Sequence, residues 1–194
     1  MAKSPFRYQV CETDCFPTSV LNGLSRLFQR RCIPGEVVQR VFMYTMDGVS
    51  RGHLTGDGTT EAGAQLLADW LAEYRTPRFR VRAEMWKREH VRLRPNSRLA
   101  RALSGGAVAV CDVKDRGRDW HSVLVLGISD GWVECWDPYK RSAVRGMTGR
   151  AEVRPSDGYA PNLRIKASWV EGLPTRYLRL GPARDRSALV LWRA

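Results

Sequence analysis

Long apolar runs are missing from this sequence of 194 residues. The first seven residues lack the apolar segment of a secretion signal, and uncharged stretches such as residues 107–111 are too short to cross a bilayer. We therefore expect a cytoplasmic protein without membrane contact. Since 43% of the residues are hydrophobic, the composition argues against wholesale disorder, and the length fits a single domain over residues 1–194.

Cysteine and histidine are scarce as well. The five cysteines are an odd number in a chain without a secretion signal, which favours free thiols over a disulfide framework. Cys11 and Cys15 are separated by three residues, but no second closely spaced pair of ligands accompanies them, so the sequence predicts no metal site. The histidines are His53, His90 and His121, so a reactive thiol has three candidate partners.

Basic residues outnumber acidic ones and give a formal net charge of +12, with arginine supplying 27 of the 32 cations. Between residues 75 and 101, ten cations face only Glu84 and Glu89. This arginine-rich segment could attract nucleic acid or an acidic partner. A solvated basic surface explains it more simply, because no nucleic-acid-binding motif accompanies it. Nothing in the sequence indicates an oligomeric state.

Hydrophobic periodicity divides the chain into a helical part and a strand-rich part. Helical spacing of apolar residues predicts helices over residues 17–28, over residues 34–44, and after Thr59-Thr60, with residues 48–58 forming a loop. The third helix is expected to bury Ala62, Leu66, Trp70 and Leu71. From residue 79 onward, alternating or continuous apolar runs predict strands at residues 79–85, 107–113, 122–128, 132–136, 163–167 and 189–192, with a short helix at residues 96–103. The pattern predicts an α+β fold in which residues 1–76 are mainly helical and residues 77–194 are mainly antiparallel sheet.

Cys15 lies at the predicted start of the first helix, because Pro17 suits the first turn. A thiol is mostly protonated at neutral pH, and the positive end of a helix dipole and a nearby imidazolium both stabilise the reactive thiolate. Among the three histidines, only His121 lies at the start of a predicted strand. We therefore predict Cys15 as a nucleophile and His121 as its base.

The segment Ser129-Asp130-Gly131 between two apolar strands predicts a hairpin. If Ile128 pairs with Trp132, His121 and Asp137 lie diagonally on one face of the sheet, where the carboxylate would orient the imidazole and stabilise its cation. Trp120 and Trp136 are then expected on the opposite face, beneath the site.

Gln9 precedes Cys15 by six residues. At that spacing its side-chain amide can point beside the sulfur and, with the backbone N–H of Cys15, bind a developing oxyanion. Gln9 is therefore the fourth predicted site residue.

These motifs resemble the papain-like bacterial cysteine peptidases related to the bacteriocin-leader-processing (double-glycine leader) peptidases. The resemblance rests on order and approximate spacing of four segments: Tyr8-Gln9, residues 14–20, residues 121–127 and residues 136–139. In that group, glycine usually follows the cysteine, whereas here Phe16 does, so we expect a cleft narrowed beside the nucleophile.

The resemblance implies a papain-like fold with the nucleophile opening a helix that packs on a sheet carrying the histidine and aspartate. It also implies hydrolysis of a peptide, isopeptide or related amide bond through a thioester, without metal or organic cofactor. Two alternatives stay open. The chain could be a catalytically silent relative that binds an acidic partner or nucleic acid, or an acyltransferase that uses the same thiol.

Overall fold

The computed structural model describes residues 6–50, 53–54, 58–115, 120–156, 158–173 and 176–194. Within these ranges the α-helices are α1 Cys15–Leu27, α2 Gly35–Thr45, α3 Glu61–Glu73, α4 Arg98–Ser104 and α5 Ala167–Val170. The strands are β1 Val49–Ser50, β2 His53–Leu54, β3 Arg75–Thr76, β4 Phe79–Lys87, β5 Val108–Lys114, β6 Trp120–Ser129, β7 Trp132–Trp136, β8 Ala151–Val153, β9 Leu163–Lys166 and β10 Ser187–Arg193. No helix in this part of the chain is both long and apolar enough to span a bilayer.

Eight strands form one antiparallel sheet in the order β3-β4-β10-β5-β6-β7-β9-β8. The helices α1 and α3 pack against this sheet, so the predicted α+β class is confirmed. A separate pair, β1 and β2, lies in the segment predicted as a loop. Residues 51–52 and 55–57 of that segment lie outside the described residues.

The sheet has an apolar core on each face, because successive residues of a strand point to opposite sides. The core beneath α1, α2 and α3 contains Val20, Leu24 and Leu67, and the core on the other face contains Leu99 from α4 and Val170 from α5.

Gly23 brings α1 directly onto the middle of the sheet. A Cβ at this position would lie 3.2 Å from the side chain of Val108 and 3.3 Å from those of Leu124 and Leu191. These three residues belong to β5, β6 and β10, so the small residue sets α1 close above three neighbouring strands. That approach fixes where the first residue of α1, Cys15, meets the sheet.

The hairpin between β6 and β7 differs from the predicted register at its tip and agrees with it further away. Asp130 and Gly131 both have positive φ, 50° and 76°, so they form a two-residue turn that pairs Ser129 with Trp132. The predicted pairing of Ile128 with Trp132 is therefore wrong. An irregularity between Val125 and Gly127 shifts the register by one residue, and Leu124 then pairs with Trp136, as the predicted register implies.

The buried face of α3 is also different from the prediction. Ala62 and Leu66 are exposed and Trp70 is only partly buried, whereas Leu71 is buried as expected. The helix instead approaches α2 closely at Gly63, where a Cβ would lie 2.2 Å from the carbonyl oxygen of Tyr44. The remaining buried residues of α3 are Ala64, Leu67 and Ala68.

Candidate active site

Cys15 is the first residue of α1, so the predicted position at a helix N-terminus is confirmed. Its side chain is largely buried, and its Sγ accepts a hydrogen bond from the backbone N–H of Ser122 at 3.5 Å. The preceding residue, Asp14, is buried, and its carboxylate accepts hydrogen bonds from the backbone N–H groups of Val10 at 3.0 Å and Cys11 at 3.2 Å. Asp14 therefore fixes the incoming loop against the start of the helix.

His121 lies between Cys15 and Asp137. Its Nε2 is 2.7 Å from Oδ1 of Asp137, and Cys15 is close enough to the ring to contribute to its raised pKa. Burial alone would lower the pKa of His121, but hydrogen bonds to Asp137 and Cys15, together with their charges, raise that pKa to about 10. The imidazolium form of the ring is therefore favoured beside the Asp137 carboxylate.

Asp137 is 1% exposed and is fixed by several groups besides the histidine. Its backbone N–H donates to Oδ1 of Asn162 at 2.7 Å, while the amide of Asn162 donates back to the carbonyl oxygen of Asp137 at 2.9 Å. The backbone N–H of Tyr139 donates to Oδ1 of Asp137 at 2.8 Å. Burial favours the neutral acid, but His121 and Arg141 outweigh it and lower the pKa of Asp137.

Arg141 lies behind Asp137, and sequence reasoning missed it. Its Nε donates to Oδ2 of Asp137, and its terminal nitrogens contact Asp115 at 3.3 Å and the hydroxyl of Tyr177 at 2.9 Å. Burial opposes the cation, yet Asp137 outweighs it and raises the pKa of Arg141. His121, Asp137 and Arg141 thus form a continuous hydrogen-bonded chain in which the carboxylate lies between two cationic side chains.

Gln9 lies next to the loop that carries Asp137. Its backbone N–H donates to the carbonyl oxygen of Pro138 at 2.9 Å, and its side-chain amide donates to the carbonyl oxygen of Cys11 at 2.8 Å. The structure thus brings His121 and Asp137 together near Cys15 and places Gln9 against Pro138, the residue after Asp137. The oxyanion role of Gln9 stays a prediction.

A cavity of about 490 Å³ opens beside Cys15. Its lining includes Phe16, as expected from its position next to the nucleophile, and also Trp120. Trp120 is 42% exposed at the first position of β6 and lines the cavity, so the prediction that it packs beneath the site is wrong. Trp136 is buried, as expected, with the rings of Phe6 and Tyr8 within 4.7 and 5.4 Å of its own.

The remaining cysteines differ from Cys15 in their surroundings. Cys111 and Cys135 are buried, and burial raises the pKa of both thiols. Cys11 is exposed, Cys32 is partly buried, and all five thiols are free. Among the described residues, no group of three or more His, Cys, Asp or Glu side chains is placed to hold a metal ion.

Comparison with known proteins adds no assignment to this geometry. A scan of the chain against protein-family models gives no match, and a search of curated proteins gives none either. The function of this chain must therefore be inferred from the geometry of the site itself.

Proposed function

We propose that this chain is a cytoplasmic cysteine hydrolase of the papain-like type, which cleaves a peptide, isopeptide or related amide bond through a thioester. The observation that carries the proposal is the position of His121. Its Nε2 is 2.7 Å from Asp137, Cys15 contributes to its raised pKa, and the backbone N–H of the next residue, Ser122, contacts Sγ of Cys15 at 3.5 Å. A thiol at a helix start, a histidine and an orienting carboxylate are the parts that activated cysteine nucleophiles use. The order of the four motifs supports a relationship to the bacterial leader peptidases.

The reaction needs only groups that this chain supplies. The Cys15 thiolate attacks the amide carbon, and the imidazolium of His121 protonates the departing amine as the C–N bond breaks, which leaves a thioester on Cys15. Neutral His121 then takes a proton from water, the resulting hydroxide equivalent attacks the thioester, and the acid product leaves as Cys15 is regenerated. Throughout, Asp137 keeps the ring oriented.

The negative oxygen that forms on the substrate in each step requires N–H donors. The backbone N–H groups at the start of a helix have no partners within the helix, and those at the start of α1 adjoin Cys15. The predicted second donor is the amide of Gln9. One such donor contributes about 3–4 kcal/mol to transition-state stabilisation in comparable sites.

Selective alkylation tests the proposal. In the folded protein at about pH 6.5, iodoacetamide should modify Cys15 at least about tenfold faster than Cys11 or Cys32, because the thiolate is the reacting form. Cys11 is the fair comparison since it is more exposed than Cys15. Peptide mapping by mass spectrometry measures the rate at each cysteine.

His121→Gln supplies the mechanistic control and should remove the rate advantage of Cys15. Urea-unfolded protein, in which all five cysteines are equally accessible, gives the reference rates. Equal rates for Cys15 and Cys11 in the folded protein would show that Cys15 is not activated, and the proposal would then fail.

A further inference from the structure

Among the described residues, the charged side chains that line the cleft beside Cys15 are acidic, although the chain as a whole is basic. The chain carries a net charge of +12, yet no lysine or arginine is among the described residues that line this cavity. Three carboxylates do line it: Asp112, Glu12 and Glu61. Glu12 and Glu61 are exposed, and Glu61 already pairs with Lys87. Asp112 is therefore the carboxylate of the cleft that is most shielded from water.

Asp112 is connected to the nucleophile through a single residue. The backbone N–H of Ser122 donates to Sγ of Cys15 at 3.5 Å, and the hydroxyl of the same Ser122 donates to Oδ1 of Asp112 at 2.6 Å. Asp112 pairs with Ser122 across β5 and β6, which fixes its distance from the site. A group bound at Asp112 therefore lies next to the bond that Cys15 attacks.

The carboxylate of Asp112 has no cation among its hydrogen-bond partners in the described part of the chain. One oxygen accepts from Ser122, and the other accepts from the hydroxyl of Ser187 at 3.4 Å. Burial raises the pKa of Asp112, although these hydroxyls and the charge of His121 oppose that effect. A cation entering the cleft would relieve the cost of holding this charge away from water.

The other walls of the cleft are apolar and suit the methylene stem of a long basic side chain. Phe16, Val110 and Leu189 are buried apolar residues, and Met85 is partly buried. Lysine and arginine place their methylene stems against apolar surface and extend the charged head to a polar group. A cavity of about 490 Å³ is large enough for one such side chain and adjacent backbone.

We propose that Asp112 selects substrates with a lysine or arginine side chain next to the scissile bond. This inference rests on the proposed function, since it names the substrate class of the same site. The overall positive charge would repel a basic substrate at long range and attract an acidic one. Preference for a basic side chain must therefore come from the cleft itself.

The experiment uses pairs of tripeptide acyloxymethyl ketones that alkylate Cys15 and differ only in arginine or its neutral isostere citrulline. Arginine or citrulline is placed in turn at each of the three positions, with alanine elsewhere. Intact-mass spectrometry gives the rate of modification. At one position the arginine probe should react about tenfold or more faster than the citrulline probe, the ratio expected from a hydrogen-bonded ion pair.

Asp112→Asn removes the charge while keeping an oxygen for the serine hydroxyls, and it should bring the arginine-to-citrulline ratio to about one. Asp69→Asn is the matched control: Asp69 is exposed on α3 and does not line the cleft, so the ratio should be unchanged. The arginine and citrulline probes are compared as a ratio within each variant, so any general change in the reactivity of Cys15 in Asp112→Asn cancels from the comparison.

Two results overturn the inference while leaving the proposed function standing. One is an activated Cys15 with an arginine-to-citrulline ratio near one at all three positions, which needs no variant to measure. The other is a ratio that persists in Asp112→Asn. If iodoacetamide shows that Cys15 is not activated, the proposed function fails, and the substrate class falls with it.

Discussion

At the residue scale, the carboxylate of Asp137 lies between two cationic side chains. Oδ1 faces His121, and Oδ2 accepts from Arg141. Because both neighbours favour the ionised form, Asp137 stays an anion although it is almost completely buried. Arg141 does not reach the nucleophile, so we regard it as a positioning residue that acts through Asp137.

Replacing Arg141 should affect both stability and the site. Arg141→Met leaves Asp137 and Asp115 without their common cation, and breaking a buried ion pair of this kind costs about 3–5 kcal/mol of unfolding free energy. Arg141→Lys keeps the charge but not the planar set of donors, so it should recover only part of that loss. Urea unfolding measures the change.

A pH profile separates positioning from simple structural support. If Arg141 acts through Asp137, Cys15 alkylation in Arg141→Lys should change its pH dependence, and not only its maximum rate. Arg164→Met serves as the matched control, because Arg164 pairs with Glu152 on β8 and β9, away from the site. An unchanged profile in folded Arg141→Lys would contradict the positioning role.

His121 should remain protonated across the neutral range. Its pKa is about 10 in the folded chain, above the ordinary value of about 6.5. The proton therefore stabilises the fold fully below about pH 6.5, and this contribution is lost as the pH rises toward 10. Relative to His121→Gln, the unfolding free energy of the wild type should fall by up to about 1.4 kcal/mol per pH unit in that window.

Urea unfolding at about pH 6, 8 and 9.5 checks this prediction. Subtracting the values for His121→Gln removes the titration of other groups. Cys15→Ala should reduce the pH dependence without abolishing it, since Asp137 still faces the ring. A wild-type curve parallel to that of His121→Gln would contradict the raised pKa.

The residues of the site differ in how visible they are in the sequence. The positions of Cys15, His121 and Asp137 beside element boundaries could be predicted from the sequence, while their catalytic roles stay predictions. Arg141 could not be predicted, since its contacts run through loops that no periodicity describes. Asp112, in contrast, has a signal in the sequence. It follows Val108 and Val110 at every second position of a strand, so a carboxylate continues an apolar face of the sheet.

At the scale of elements, two errors in the predicted pairing of β6 with β7 cancel each other near the site. The turn was predicted as three residues, whereas Asp130 and Gly131 alone form it. The irregularity before Gly127 then restores the register that the prediction assumed. A bulge depends on twist and on contacts with other strands, which the periodicity of one strand does not report.

The contact between α2 and α3 depends on Gly63. Alanine favours a helix by about 1 kcal/mol over glycine. Here its Cβ would lie 2.2 Å from the carbonyl oxygen of Tyr44 and 2.4 Å from a carboxylate oxygen of Asp47. We therefore expect Gly63→Ala to lower the unfolding free energy by about 1–3 kcal/mol despite the helix propensity.

Gly35→Ala is the matched control for this prediction. Gly35 is the first residue of α2, and no atom lies within 4 Å of a Cβ built there. That substitution should be neutral or slightly stabilising. Thermal unfolding of both variants, followed by circular dichroism, makes the comparison; a Gly63→Ala variant as stable as Gly35→Ala would refute the close approach.

At the scale of the whole molecule, the arginine-rich segment of residues 75–101 spreads over β3, β4 and α4. Some of its cations are engaged locally: Arg82 pairs with Glu84, Lys87 pairs with Glu61, and Arg98 lies 4.1 Å from the ring centre of Trp86. These contacts agree with a solvated basic surface. Nucleic-acid binding stays an open alternative.

The arrangement of strands could be predicted only in part. Alternation indicated six of the eight strands of the large sheet, but β3 and β8, with only two and three residues, were missed. The position of β10 between β4 and β5 also gives no local signal. Strand order joins residues about a hundred positions apart, and periodicity carries no information about such pairings.

Because β10 lies inside the sheet, a chain that ends at residue 185 should not fold cooperatively. The strand pairs with β4 and β5, and its Leu189, Val190 and Leu191 are fully buried. Burying each contributes about 1.5–3 kcal/mol, and together they approach the whole stability of a typical domain, about 5–15 kcal/mol. The strand also supplies Ser187 to the cleft.

The matched control is a chain that ends at residue 192. It keeps the buried part of β10 and loses only the exposed Arg193 and Ala194, so it should keep a sigmoidal thermal transition and selective alkylation of Cys15. The chain that ends at residue 185 should lose its near-ultraviolet circular dichroism and alkylate all of its cysteines at similar rates. If it instead retains the wild-type transition, β10 is not required for the fold that assembles the site.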